Sequence, residues 1–95
     1  MFGLDAAVIN AMRAVFAKHT FITQVKIFGS RAKGTYRPNS DIDVALFGTM
    51  RWEDVASIRQ SLDDLSTPYQ FDVVAYALIE HPSLKDHVDR CGIAF

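Results

Sequence analysis

Residues 29–43 read Gly29-Ser30-Arg31-Ala32-Lys33-Gly34-Thr35-Tyr36-Arg37-Pro38-Asn39-Ser40-Asp41-Ile42-Asp43, and their reading decides the fold. The stretch is entered from one apolar run, Val25 to Phe28, and left through another, Val44 to Phe47. Short apolar runs bounded by Gly, Pro, Asn and Ser are strand signals. Two strands are therefore expected, 24–28 and 41–47, each meeting this segment. Between them Ser30 stands where a helix N-cap would, Arg31 to Thr35 can form one short helix, and Tyr36 to Ser40 reads as a loop punctuated by Pro38-Asn39.

Working outward toward the N-terminus, Val8, Ile9, Met12, Val15 and Phe16 form one stripe of an amphipathic helix over 5–19. Toward the C-terminus, Gly48-Thr49 closes the second strand. Val55, Ile58, Leu62 and Leu65 recur at helical spacing over about 51–65, and Ser66-Thr67-Pro68 breaks that helix. Phe71 to Tyr76 is a third strand. Pro82 fits the first turn of a last helix, 83–90, with Gly92 at its C-terminal end, and Ile93-Ala94-Phe95 adds a short edge strand. The order α-β-α-β-α-β-α predicts an α+β, sandwich-like fold: a small mixed sheet of three or four strands with helices packed on it. At 95 residues, 49% of them apolar and 12% aromatic, the chain reads as one domain, 1–95, with one compact core.

Composition narrows the function classes. The net charge is −1 and no block of like charge occurs, which argues against a protein that tracks a long nucleic-acid strand by its phosphates. The single Cys91 rules out an internal disulfide and suits a reducing cytosol. Three scattered His and one Cys lack zinc-ligand spacing. No apolar run approaches the roughly 20 residues of a membrane span, and the N-terminus lacks a secretory pattern. A cytoplasmic protein is expected.

Two devices share the quoted stretch. A Gly after a strand lets backbone approach a ligand closely, and Ser30 at a helix start offers a hydroxyl, an N–H and the positive helix end, so Gly29-Ser30 is a candidate phosphate site. Arg31 and Lys33 add positive charge there; Arg31 reads equally as a structural ion-pair partner. Gly34 would allow a second close approach. Asp41 and Asp43, two apart on a strand, point to one face, and paired carboxylates suit Mg²⁺ or Mn²⁺. Asp72, among apolar neighbours in the third strand, can face them if strand three lies beside strand two. Two metal ions about 4 Å apart could then clamp the attacking and leaving oxygens of a displacement.

This spacing, Gly-Ser-x10-Asp-x-Asp with a later strand Asp, resembles the DNA polymerase beta superfamily of nucleotidyltransferases. Phe28-Gly29-Ser30-Arg31-Ala32-Lys33-Gly34 and Ser40-Asp41-Ile42-Asp43-Val44 are similar to the wording of its minimal nucleotidyltransferase (MNT) family. The resemblance covers nearly the whole chain. It implies that Gly29 and Ser30 hold the β- and γ-phosphates of a nucleoside triphosphate, that Asp41, Asp43 and Asp72 ligate two Mg²⁺, and that Asp72 serves the acceptor hydroxyl. ATP is the expected substrate, with pyrophosphate leaving.

Larger members carry further domains for base and acceptor, which this chain has no room for. The resemblance therefore implies a partner. MNT proteins are similar to the antitoxin half of a bacterial and archaeal pair whose other half is a HEPN-domain toxin, modified with AMP on a tyrosine. Two alternatives stand beside this: a non-catalytic module that masks its partner, and a small-molecule nucleotidyltransferase working as a homodimer. Trp52, Tyr36, Tyr69 and Phe95 do not all fall on helical stripes and are candidate contact residues.

Overall fold

The computed structural model describes residues 2–95. Its elements follow in the order α1 (Ala6–Ala17), β1 (Ile22–Phe28), α2 (Gly29–Lys33), β2 (Ile42–Gly48), α3 (Trp52–Asp63), β3 (Phe71–Ala75), α4 (Pro82–Cys91) and β4 (Ile93–Ala94), with a 3₁₀ turn at Tyr76–Leu78 after β3. The strands form one sheet in the order β3-β2-β1-β4. β2 and β3 run parallel, joined through α3, while β1 pairs antiparallel with β2 and with β4. The mixed four-stranded sheet is the one the sequence predicts, including the short edge strand.

Alternation along β2 divides the molecule. Ile42, Val44 and Leu46 join Ile27, Phe71, Val73 and Ala75 on one face of the sheet, against Ile9, Met12, Val15 and Phe16 of α1 and Val55, Ile58 and Leu62 of α3. Met12, Ile27, Ile42, Val44, Leu46, Ile58 and Leu62 lie wholly inside. Burying side chains of this size contributes roughly 1.5–3 kcal/mol each before entropy is counted. This layer fixes the sheet register, because a slip by one residue would turn every apolar side chain of β2 to the other face.

Ala45 and Phe28 face the other way, and Val88 of α4 covers them with Leu84, Val74, Phe47 and Tyr76 around it. Pro82 opens α4 at its first turn, where a missing N–H costs nothing. α4 thus covers only part of this second face. The remainder, where β2 and β3 begin, carries Asp43 and Asp72.

The structure differs from the expected boundaries where local chemistry competes. β1 begins two residues early, at Ile22, through an irregularity in register between Ile22 and Gln24. β2 begins at Ile42 rather than at Asp41. α2 is shifted forward to start at Gly29, with Phe28 in the cap position. No helix among the described residues is long and apolar enough to cross a membrane.

Candidate active site

Three strands deliver the site in one row. Across the β1–β2 pair Phe28 stands opposite Asp43, and across the β2–β3 pair Asp43 stands opposite Asp72. Gly29-Ser30, directly after Phe28, is therefore brought beside the Asp43 carboxylate. Parallel pairing of β2 with β3 is what puts Asp72 level with Asp43. The apolar residues on either side, Ile42, Val44, Phe71 and Val73, lock that register from the opposite face.

Gly29 is needed here twice over. Its φ is +70°, a left-handed conformation that costs an L side chain about 1–2 kcal/mol, and a Cβ would overlap the Asp43 carboxylate. The two stretches read separately in the sequence, Gly29-Ser30 and Asp41–Asp43, are thus packed against each other through Gly29 and Asp43. Gly29→Ala is expected to lower the melting temperature by roughly 5–10 °C, the strain plus the displaced carboxylate, measurable by thermal unfolding; an unchanged melting temperature would mean that the carboxylate has room to move.

Asp43 is half-buried, and its carboxyl is pushed up from 3.8 to about 6. Burial is the largest cause, followed by the Asp72 carboxylate and then by that of Asp41. Desolvation and like charge both disfavour the ionised form. Asp72 is exposed on the edge strand β3. Asp41 does not share a strand with Asp43, as the sequence suggests; it is exposed in the loop just before β2. Asp disfavours extended, ladder-bonded backbone, and the first β2–β3 bond runs from the Ile42 N–H to the Gln70 carbonyl.

Among the described residues no three His, Cys, Asp or Glu side chains are gathered closely enough to hold an ion as they stand. The donor chemistry nevertheless fits a hard divalent cation: carboxylate oxygens alone, two side by side in register and a third near enough to raise Asp43. Asp41, on the loop, is the donor that has to come in.

Ser30 is half-buried in the first turn of α2, two residues past the Phe28 cap, where the sequence places it at the cap itself. A five-residue helix has little macrodipole, so what Ser30 offers here is its hydroxyl and the local N–H groups. Lys33 is exposed in the last turn of α2. Gly34 ends that helix at φ +79° with open space around it. It serves as a left-handed cap.

Arg31 departs furthest from expectation. Weighed as a phosphate contact or an ion-pair partner, it is 2% exposed and makes no ion pair among the described residues. Its guanidinium donates to three backbone carbonyls: Phe2 (2.9 Å, from Nη1), Ser40 (3.0 Å from Nη2 and 3.3 Å from Nε) and Pro38 (3.4 Å, from Nη2). The rings of Tyr36 and Tyr69 lie 5.1 and 4.9 Å from its central carbon. Carbonyl acceptors leave no mark in a sequence, so no residue pattern could have revealed this role.

Of the expected contact aromatics, Tyr36 and Tyr69 are thus engaged with Arg31, and Phe95 packs on Phe2 and Phe16. Trp52, 62% exposed, is the bare one. It borders an apolar hollow of about 240 Å³ with Val74, Leu78, Ile79 and Leu84, whose lining includes none of Asp41, Asp43 and Asp72.

The sequence model of a family described as "Polymerase beta, Nucleotidyltransferase" matches residues 10–95. A solved chain named for a minimal nucleotidyltransferase is similar at 26% identity and a TM-score of 0.73, covering 97% of each chain. A chain of the toxin–antitoxin MntA-HepT crystal structure has a TM-score of 0.71 at 18% identity, covering 95% of this chain and 70% of that one. A chain of a toxin–antitoxin crystal structure with AMP-PNP has a TM-score of 0.66 at 24% identity, covering 96% and 72%. At these last two identities the likeness is one of fold. No curated protein matches the sequence.

Proposed function

The chain belongs to the polymerase beta nucleotidyltransferase family, and from that premise we propose that it transfers a nucleoside monophosphate, AMP from ATP, to a hydroxyl on a partner protein. The observation that carries the reading is the row Phe28–Asp43–Asp72, with Gly29 packed against the middle carboxylate. It is the arrangement a phosphoryl-centred displacement needs: a phosphate cradle beside a set of hard oxygen donors.

In this reading Ser30 binds the terminal phosphates with its hydroxyl and N–H, and Gly29 keeps the approach clear. Asp41, Asp43 and Asp72 hold Mg²⁺, with Mn²⁺ as the alternative. The bound ions would neutralise charge on the phosphates and on the leaving pyrophosphate. Asp72, at the exposed edge, takes the proton from the acceptor oxygen as it attacks the α-phosphorus. Holding the triphosphate in line for that attack is the larger part of the protein's contribution.

The acceptor side supports a macromolecular partner. Asp72 lies on an edge strand open to solvent, so the hydroxyl arrives from outside the chain. The fold neighbours named as toxin–antitoxin complexes support a toxin as that partner, and we take it to be a HEPN-domain protein modified on a tyrosine, in the cytoplasm. Incubation with ATP, Mg²⁺ and such a partner is expected to add one AMP to it by intact-mass spectrometry, and EDTA is expected to prevent this. A partner that is neutralised with no gain in mass would instead support the masking alternative, and label appearing on a small molecule would support the homodimeric transferase.

A further inference from the structure

The N-terminal turn of this chain is fastened to the loop that carries the first metal-binding carboxylate. Phe2 and Gly3 both have left-handed backbone, with φ of +56° and +69°. For Phe2, a bulky residue, that conformation is held only where the surroundings over-determine it. Two contacts do so. The Phe2 carbonyl accepts from Arg31 Nη1 at 2.9 Å, and the Tyr36 ring lies so close to Gly3 that a Cβ there would overlap it.

The same guanidinium holds the other side. Its Nη2 and Nε donate to the carbonyls of Pro38 and Ser40, and Ser40 immediately precedes Asp41. Ser40 Oγ in turn accepts the Arg37 N–H at 2.7 Å. The ring of Tyr69, on the segment leading into β3, lies 4.9 Å from the guanidinium's central carbon. One buried side chain therefore joins the N-terminal turn, the loop 36–40 that leads into Asp41, and the approach to β3.

We infer that Arg31, Tyr36 and the Phe2–Gly3 turn form a positioning latch that sets where Asp41 stands relative to Asp43 and Asp72. Asp41 is the donor the sheet does not fix: it is in the loop, while Asp43 and Asp72 are on paired strands. Fixing it requires a tether outside the sheet, and a planar fork with donors spread over three carbonyls is a stiff one. The latch bears on the metal-holding role proposed above and rests on that reading. It adds that residues 2 and 3 belong to the catalytic architecture, although they stand far from Asp41 in sequence.

The test is Mn²⁺ affinity, read by electron paramagnetic resonance on the full chain without nucleotide or partner. Gly3→Val crowds Tyr36 and loosens only the turn; Arg31→Lys removes the fork. Leu62→Ala, in the buried layer behind the sheet, is the control for lost stability. All are measured at a temperature where circular dichroism shows them folded, and Gly3→Val alone decides the matter if Arg31→Lys does not fold. The latch predicts Mn²⁺ binding about tenfold weaker in Gly3→Val, the scale on which supports behind a metal ligand act, with Leu62→Ala close to the parent. Parent-like affinity in Gly3→Val, an equal loss in Leu62→Ala, or no Mn²⁺ binding by the parent would overturn it. A parent that binds Mn²⁺ yet transfers no nucleotide would overturn the transferase reading and leave the latch to be decided by the affinities.

Discussion

Asp43→Asn is expected to abolish nucleotide transfer and, in the same protein, to raise the melting temperature of the metal-free chain. Both effects come from one feature. Asp43 is half-buried and also feels the Asp72 and Asp41 carboxylates, so its carboxyl is raised to about 6. A group whose folded value lies above its unfolded value favours the folded state only while protonated; that contribution is complete below about 4 and is lost as pH rises through about 6. At pH 8 the metal-free fold therefore carries an ionised carboxylate it would rather keep neutral. A shift of this size corresponds to about 3 kcal/mol at most, and partial solvent access reduces it to roughly 1–2 kcal/mol.

The amide is uncharged and nearly the same shape, so Asp43→Asn relieves the penalty. At pH 8 without metal its melting temperature should rise by roughly 4–10 °C, and at pH 4 the advantage should vanish. Saturating Mg²⁺ should stabilise the parent and leave the variant almost unmoved. Transfer should fall by about a thousandfold or more, the scale of removing an electrostatic group aimed at developing charge. A variant that transfers nucleotide like the parent would remove Asp43 from the chemistry, and one less stable than the parent at pH 8 would contradict the electrostatic account.

Arg31→Met should have the largest effect on stability. The thioether fills much of the same space, but the carbonyls of Phe2, Pro38 and Ser40 lose their donor, and two tyrosine rings lose a cation. A buried acceptor left unpaired costs about 1–3 kcal/mol. With three acceptors partly reached by water, about 3–5 kcal/mol is the expected total, a large share of the roughly 5–15 kcal/mol that holds a domain folded. Urea titration should show the midpoint falling by about a third or more. A loss below about 1 kcal/mol would mean that the loop and the N-terminal turn stand without the guanidinium, and would weaken the latch with it.

The strands and the helices were legible because apolar spacing is a strong signal, whereas the side-by-side placement of Asp43 and Asp72 was legible only on the condition that strand three lies beside strand two, which the parallel β2–β3 pairing meets. Gly29 was legible as a place of close approach, and the neighbour the structure shows there is the Asp43 carboxylate. Ser30 stands two positions further into its helix than expected and Asp41 one position outside its strand, since helix and strand ends are decided by backbone bonds that side-chain patterns do not encode. Arg31 was illegible for a deeper reason. A basic residue in a phosphate-type turn looks the same whether it points outward to a ligand or inward to carbonyls, and only the fold brings Phe2, Pro38 and Ser40 around it.

The central claim, nucleotidyl transfer on the Asp43–Asp72 row, is tested most directly by the fate of two labels. With Mg²⁺ and the partner protein, ATP labelled at the α-phosphate should leave its label on the partner, and ATP labelled at the γ-phosphate should release its label as pyrophosphate, with neither seen for Asp43→Asn. Label from the γ-position on the partner, or α-label transferred equally by Asp43→Asn, would contradict it.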